Sequence, residues 1–170
     1  MKTEALQKAK EIIPELKSIH NVKDRPKVFF YEGREGLEKV YEDTLTSTEP
    51  IRAYANLEPM NEGLPGYFPE YFKRRASRGI SIRAIGPRTE ANIELVKRDI
   101  EEKRETALIP KEIYNFSPEI NIYDDKVMIA SWKEKLGIII KSKEIADIMK
   151  KIYELAWAEA KRLDKELKNL

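Results

Sequence analysis

The sequence predicts an α/β domain built on a mixed β-sheet with helices on both faces. Three observations carry that expectation. Short β-branched runs alternate with amphipathic helical stretches over residues 28–109, the pattern of parallel strands joined by crossovers. Residues 115–141 then read as three consecutive strands around tight turns, which pair antiparallel. A single long apolar-patterned stretch follows Ser142 to the carboxyl end.

Residues 3–19 read as an amphipathic helix, with Leu6, Ala9, Ile13 and Leu16 at three- and four-residue spacing. Pro14 removes a backbone donor and clashes one turn back, so the helix kinks there or a second one begins. By itself this is either a packing helix or a dimer-forming connector. Residues 20–26 are polar, end in Pro26 and read as a linker, so the domain boundary is expected there: 1–26 as amphipathic connecting helix and linker, 27–170 as the compact domain with its long closing helix.

Within that domain, residues 28–31 form an apolar strand, and 35–47 a helix whose inner face is Leu37, Val40, Tyr41 and Leu45. Residues 51–55 are the next strand, and 56–66, with two prolines and two glycines, a loop. A helix over 67–78 has Pro69 in its first turn and Gly79 just past its end. The run ISIRAI at 80–85 is a third strand. Thr89 caps a charged helix over 90–103 with Ile93, Val96 and Ile100 facing inward, and 106–109 is a short fourth strand.

In the closing run, Ile120 and Ile122, then Val127 and Ile129, then 138–140 alternate with polar residues, while Asp124-Asp125 and 134–137 supply the turns. Ser142 caps the last helix. Ile145, Ile148, Met149, Ile152, Leu155, Ala156, Leu163 and Leu167 continue one apolar stripe, with the first half packing on the sheet and 161–170 projecting beyond it.

Composition narrows the function. With 36% charged residues and a net charge of only +2, the surface carries both signs in near balance, which does not make a polyanion-binding field. Cys is absent, so there is neither a disulfide framework nor a thiolate nucleophile, and a reducing cytoplasm is the natural setting. No apolar run is long enough to cross a bilayer, and the amino terminus lacks a signal-peptide apolar core. The sequence has no Gly-rich phosphate loop and no Cys or His metal spacing, so no metal and no cofactor is expected. Lys73, Arg74, Arg75 and Arg78 make a basic cluster that a helix spreads over several faces, read as solvated surface.

The order and spacing of KVFFYEGREGLEKVYEDTL at 27–45, PEYFKRRASRGISIRAIGP at 69–87, RETALIPKEIY at 104–114, EINIYDDKVMIAS at 119–131 and KSKEIADIMKKIYELAW at 141–157 resemble the effector half of TrmB-type transcription regulators, a phospholipase D-like domain. That resemblance implies a strand carrying His-x-Lys, followed after four intervening residues by an Asp before a hairpin. The Asp falls on Asp124, the His position on Ser117 and the Lys position on Glu119. The chain's one histidine, His20, precedes the domain. Phosphodiester hydrolysis of this type needs an attacking imidazole and a cation on the phosphoryl oxygens. A carboxylate at 119 puts the opposite charge there.

The resemblance therefore implies a degenerate active site, no enzyme activity, and an effector-sensing homodimer. Its DNA contact would be made by a separate winged-helix domain not present in this chain, with no membrane partner. The alternatives are a stand-alone small-molecule or protein-interaction module, or a phosphodiesterase using unconventional residues such as Ser117. Ligands of open α/β sheets settle at the carboxyl ends of strands, which points to Asn56, Glu58 and Arg88 beside Ser117 and Glu119. Glu119, Asp124 and Asp125 are a candidate cation or sugar-hydroxyl set as well as ordinary turn chemistry.

Overall fold

Period-two alternation in the closing run gives three strands: β5 (Glu119–Tyr123), β6 (Lys126–Ser131) and β7 (Leu136–Lys141). Asp124 and Lys135 turn the hairpins with φ of +47° and +53°, a left-handed conformation that short polar residues such as Asp tolerate. The computed structural model describes residues 25–112 and 114–169. The expected amino-terminal helix, its interruption at Pro14, and His20 lie outside the described residues.

The remaining elements are β1 (Lys27–Glu32), α1 (Gly33–Thr44), β2 (Ile51–Tyr54), α2 (Leu57–Gly63), α3 (Phe68–Ser77), β3 (Ile82–Pro87), α4 (Glu90–Val96), β4 (Arg104–Ile109) and α5 (Lys143–Lys168). Among the described residues the strands form one sheet in the order β1-β7-β6-β5-β2-β3-β4. β2, β3 and β4 run parallel. β5 pairs antiparallel with β2, and β6, β7 and β1 continue antiparallel. The mixed sheet matches the sequence pattern.

Alternation along each strand divides the core in two. Ile51, Tyr123, Met128 and Ile139 face a layer of α1 to α3 through Leu37, Val40, Tyr41, Phe68 and Tyr71. Ile85, Ile122 and Val127 face α5 through Ala146, Tyr153 and Ala160. Ser142 caps α5 by accepting from the N–H of Ile145. Lys150 donates to the Asp124 carbonyl (2.6 Å), and Tyr153 Oη to the Arg83 carbonyl (2.7 Å). Arg83 and Arg52 both donate to Glu154, holding its carboxyl down at about 2.

Four expectations need correction. Residues 57–63 are helical, because Pro59 falls in the first turn, where its missing N–H is no loss. α4 stops at Val96, and 97–103 continue as successive turns. Lys103 takes φ +49°, and the Asp99 carbonyl accepts from the N–H of Arg104 at 2.7 Å. Ile93 and Ile100 consequently face solvent, and the inner side of α4 is Asn92 with Leu95 and Val96.

α5 does not bury the expected stripe. Ala146, Tyr153, Ala160 and Asp164 are buried, while Ile148, Ile152 and Leu155 are 51%, 48% and 77% exposed. Small alanines around one tyrosine let the helix lie close to the sheet, and the packing continues to Asp164 instead of ending before residue 161. A helix about 10 Å wide cannot cover seven strands spaced about 4.8 Å apart. Ile120, Ile129 and Ile140 are thus only partly buried on that face. Finally, Arg75 is core and not surface, with Nη1 and Nη2 each 2.6 Å from the carbonyls of Ile80 and Glu102. Arg74 donates twice to Glu42, at 2.8 and 2.6 Å, so the basic cluster is largely spent on internal partners.

Candidate functional site

The odd residues of β5 point toward α1. Glu119 is therefore buried, accepting from Tyr41 Oη at 2.5 Å and from the Asn121 amide at 2.7 Å. Burial raises its carboxyl to about 7, only partly offset by those two donors. Burial also holds the Tyr41 hydroxyl well above its ordinary value, so it stays protonated and donating. Tyr41 packs edge-on against Phe68 and stacks with Trp132, at ring centroid distances of 5.0 and 5.8 Å. Gly63 lies against the face of Trp132, where any side chain would collide. Aromatic rings thus cover Glu119 on the α1 side, leaving it buried beside a cavity of only about 40 Å³.

Asn56, directly after β2, is buried and donates to the Phe116 carbonyl at 3.1 Å. Asn92 of α4 fastens the neighbouring chain ends: its side-chain oxygen accepts from the N–H of Leu57 at 3.1 Å, and its amide donates to the Pro87 carbonyl at 2.8 Å. Gly86 makes room for this junction, since a Cβ there would lie 2.7 Å from the Ala55 carbonyl oxygen. Thr89 caps α4 by accepting from the N–H of Asn92.

Above this junction lies an open cleft of about 370 Å³ lined by Asn56, Glu58, Pro59, Glu62, Asn115, Phe116 and Ser117. It shares Glu58 and Asn115 with a second cleft of about 490 Å³ that adds Thr89, Glu90, Lys111 and Glu112. The rim carries four glutamates against one lysine. Asn56, Glu58 and Ser117 are thus brought together, as the sheet geometry predicts.

The other expected site residues lie elsewhere. Arg88 donates its N–H to the Ile109 carbonyl at 2.8 Å and lines neither cleft. Asp124 sits at the opposite end of β5, about 23 Å along the strand from Ser117 at about 3.3 Å per residue. There it accepts from Thr48 Oγ1 at 2.7 Å and from the Thr48 N–H at 3.1 Å. Glu119, Asp124 and Asp125 are not one set, and no cluster of three metal-ligating side chains occurs among the described residues. Asn92, Asn115 and Tyr41 were not legible as site residues. A polar Asn at an inward helical position, between Ala91 and Leu95, is the signal that could have found the first.

No family model matches the chain, and no curated protein matches its sequence. Solved structures do match. One is TrmBL2, an archaeal chromatin protein with a novel mode of DNA binding, at 16% identity and a TM-score of 0.57 over 93% of this chain. The fold is a phospholipase D-like α/β fold, shared with this structure. This chain spans 62% of TrmBL2. NucT from Helicobacter pylori matches at 16% identity and a TM-score of 0.55, covering 80% of this chain and 96% of that one. Ser117, at the histidine position that the sequence resemblance implies, lies at the cleft rim, and Glu119, at the implied lysine position, is buried. Among the described residues no helix is long and apolar enough to cross a bilayer.

Proposed function

We propose that this chain is a noncatalytic phospholipase D-like domain serving effector sensing and dimerisation in a TrmB-like transcription regulator. The observation that carries the reading is Glu119. Where phosphoryl chemistry needs a cation facing the substrate, a carboxyl group is held inside the aromatic layer by Tyr41 and Asn121. Ser117, at the position of the attacking imidazole, is exposed and has no histidine near it among the described residues.

The effector site is the cleft bounded by Asn56, Glu58 and Ser117. Its acidic rim repels phosphate esters, whereas amide and carboxylate oxygens accept hydrogen bonds from a neutral ligand bearing hydroxyl groups. The mechanism is conformational: a ligand that binds one arrangement of the dimer better than another shifts the population between them. DNA contact, on this reading, is made by a separate winged-helix domain.

A thermal-shift screen tests the effector, because a ligand that binds only the folded state raises its melting temperature by mass action. The expected hit is a neutral polyol or sugar whose shift is lost in Glu58→Ala and Ser117→Ala. Both residues are exposed, so the fold is kept. A phosphodiester assay tests the absence of catalysis, and turnover of bis(p-nitrophenyl) phosphate that disappears in Ser117→Ala would overturn the noncatalytic reading.

A further inference from the structure

β1 is an edge strand that bonds to β7 along one side only. The N–H of Gly33 donates to the Lys135 carbonyl at 2.8 Å, which fixes the parity of the ladder. Residues 27, 29, 31 and 33 direct their backbone groups at β7, and Val28, Phe30 and Glu32 direct theirs outward. Among the described residues those outward N–H groups have no hydrogen-bond partner. The strand also exposes apolar side chains on both faces of the sheet. Val28 and Phe30, on the α5 side, are 48% and 64% exposed, and Phe29, on the α1 side, is 42% exposed. A helix laid over one face could cover only half of them, whereas another strand covers both faces and the open edge together.

We propose that two copies of this chain pair antiparallel through β1, about a two-fold axis at Phe30, to make one continuous sheet. This names the interface for the dimerisation read under Proposed function and rests on that reading. The register follows from the strand itself. Outward residues must stand level with outward residues, and Pro26, with no N–H, ends the pairing on one side, as α1 does on the other. All three outward residues are used only when Phe30 faces the partner's Phe30 and Val28 faces the partner's Glu32, giving about six backbone bonds.

Charge agrees with this arrangement. The cationic entry of one strand, Arg25 and Lys27, lies toward the acidic exit of the other, Glu32 and Glu35, and no like charges stand level. A strand contact of this extent falls at or below the about 1,200 Å² lower bound of stable interfaces, so monomer and dimer should exchange in the micromolar range.

The test uses the full chain, which contains no cysteine. Light scattering over a micromolar concentration series should show a dimer. Phe30→Glu, which sets like charges level at the axis, should weaken it at least about tenfold. Oxidation with diamide should cross-link Phe30→Cys, since level residues have Cα atoms about 5.5 Å apart. It should not cross-link Val28→Cys, whose two copies are offset by about 13 Å along the strands. A dimer that survives Phe30→Glu and leaves Phe30→Cys unlinked overturns this pairing while keeping the dimerisation reading. A wild-type chain that stays monomeric throughout overturns both.

Discussion

At β4 two of the three outward N–H groups are already spoken for: that of Arg104 meets the Asp99 carbonyl at 2.7 Å, and that of Thr106 meets the Asp99 carboxylate at 2.9 Å. At β1, the other edge, Val28, Phe30 and Glu32 have no such partner among the described residues. The strands are of equal length, so length is not what separates them. Residues 97–103 fold back beside β4 and bring Asp99, which also pairs with Arg104 at 3.3 Å. Glu102 is a second carboxylate on Arg104, whose guanidinium lies 4.8 Å from the Phe72 ring centroid. Burial pulls that guanidinium down to about 10, a cost met by pairing it with two acids. One edge is largely closed from within by a charged network, and the other keeps its outward groups open among the described residues.

The contrast can be broken at several strengths. Asp99→Ala should do most, because it strips the β4 edge and leaves Arg104 underpaired in a buried site; we expect a loss of about 3 to 4 kcal/mol in urea unfolding. A loss below about 1 kcal/mol would mean that something other than Asp99 closes this edge.

Glu119, in the middle of the sheet, sharpens the comparison by showing a buried acid with no cation. Its carboxyl is raised from 4.5 to about 7. Between those pH values the folded protein keeps a proton that the unfolded chain has released, so stability falls as pH rises through the window and stays low above it. Glu119→Gln should match the wild type below pH 4.5 and exceed it by up to about 3 kcal/mol at pH 8. Equal stabilities at pH 8 would contradict the raised carboxyl.

The smaller effects separate the two sides of β1. Phe29→Pro removes a donor to β7 and should cost about 2 kcal/mol in monomer stability. Val28→Pro removes only an outward donor and should change it by less than about 0.5 kcal/mol while weakening the dimer. Equal costs would show that the parity of β1 is misassigned.

The sheet was legible because β-branched residues at period two, broken at Asp124-Asp125 and by the turn at 132–135, earlier in the chain than the expected 134–137, leave little choice of register in β5 to β7. The inner face of α1 was legible for the same reason, with Leu37, Val40, Tyr41 and Leu45 all buried at helical spacing. Composition could not separate the two apolar stripes of α5, since Ile148 and Ile152 are as apolar as the residues that pack. What decides burial is the close approach that Ala146 and Ala160 permit around Tyr153. Of the candidate site, Asn56, Glu58 and Ser117 followed from where strands end. The separation of Glu119 from Asp124 follows from the direction of β5, which local spacing did not weigh, and Asn92 becomes visible only once β2 and β3 lie side by side.

Arg75 has a consequence beyond its own burial. One guanidinium ties the end of α3, the residue entering β3 and the turn before β4, through the carbonyls of Ile80 and Glu102. Those three segments share a fastening, so their amides should exchange with deuterium as a single opening unit rather than fraying separately. Lysine, with a lone ammonium in place of a planar fork, would release one of the two carbonyls and split that unit.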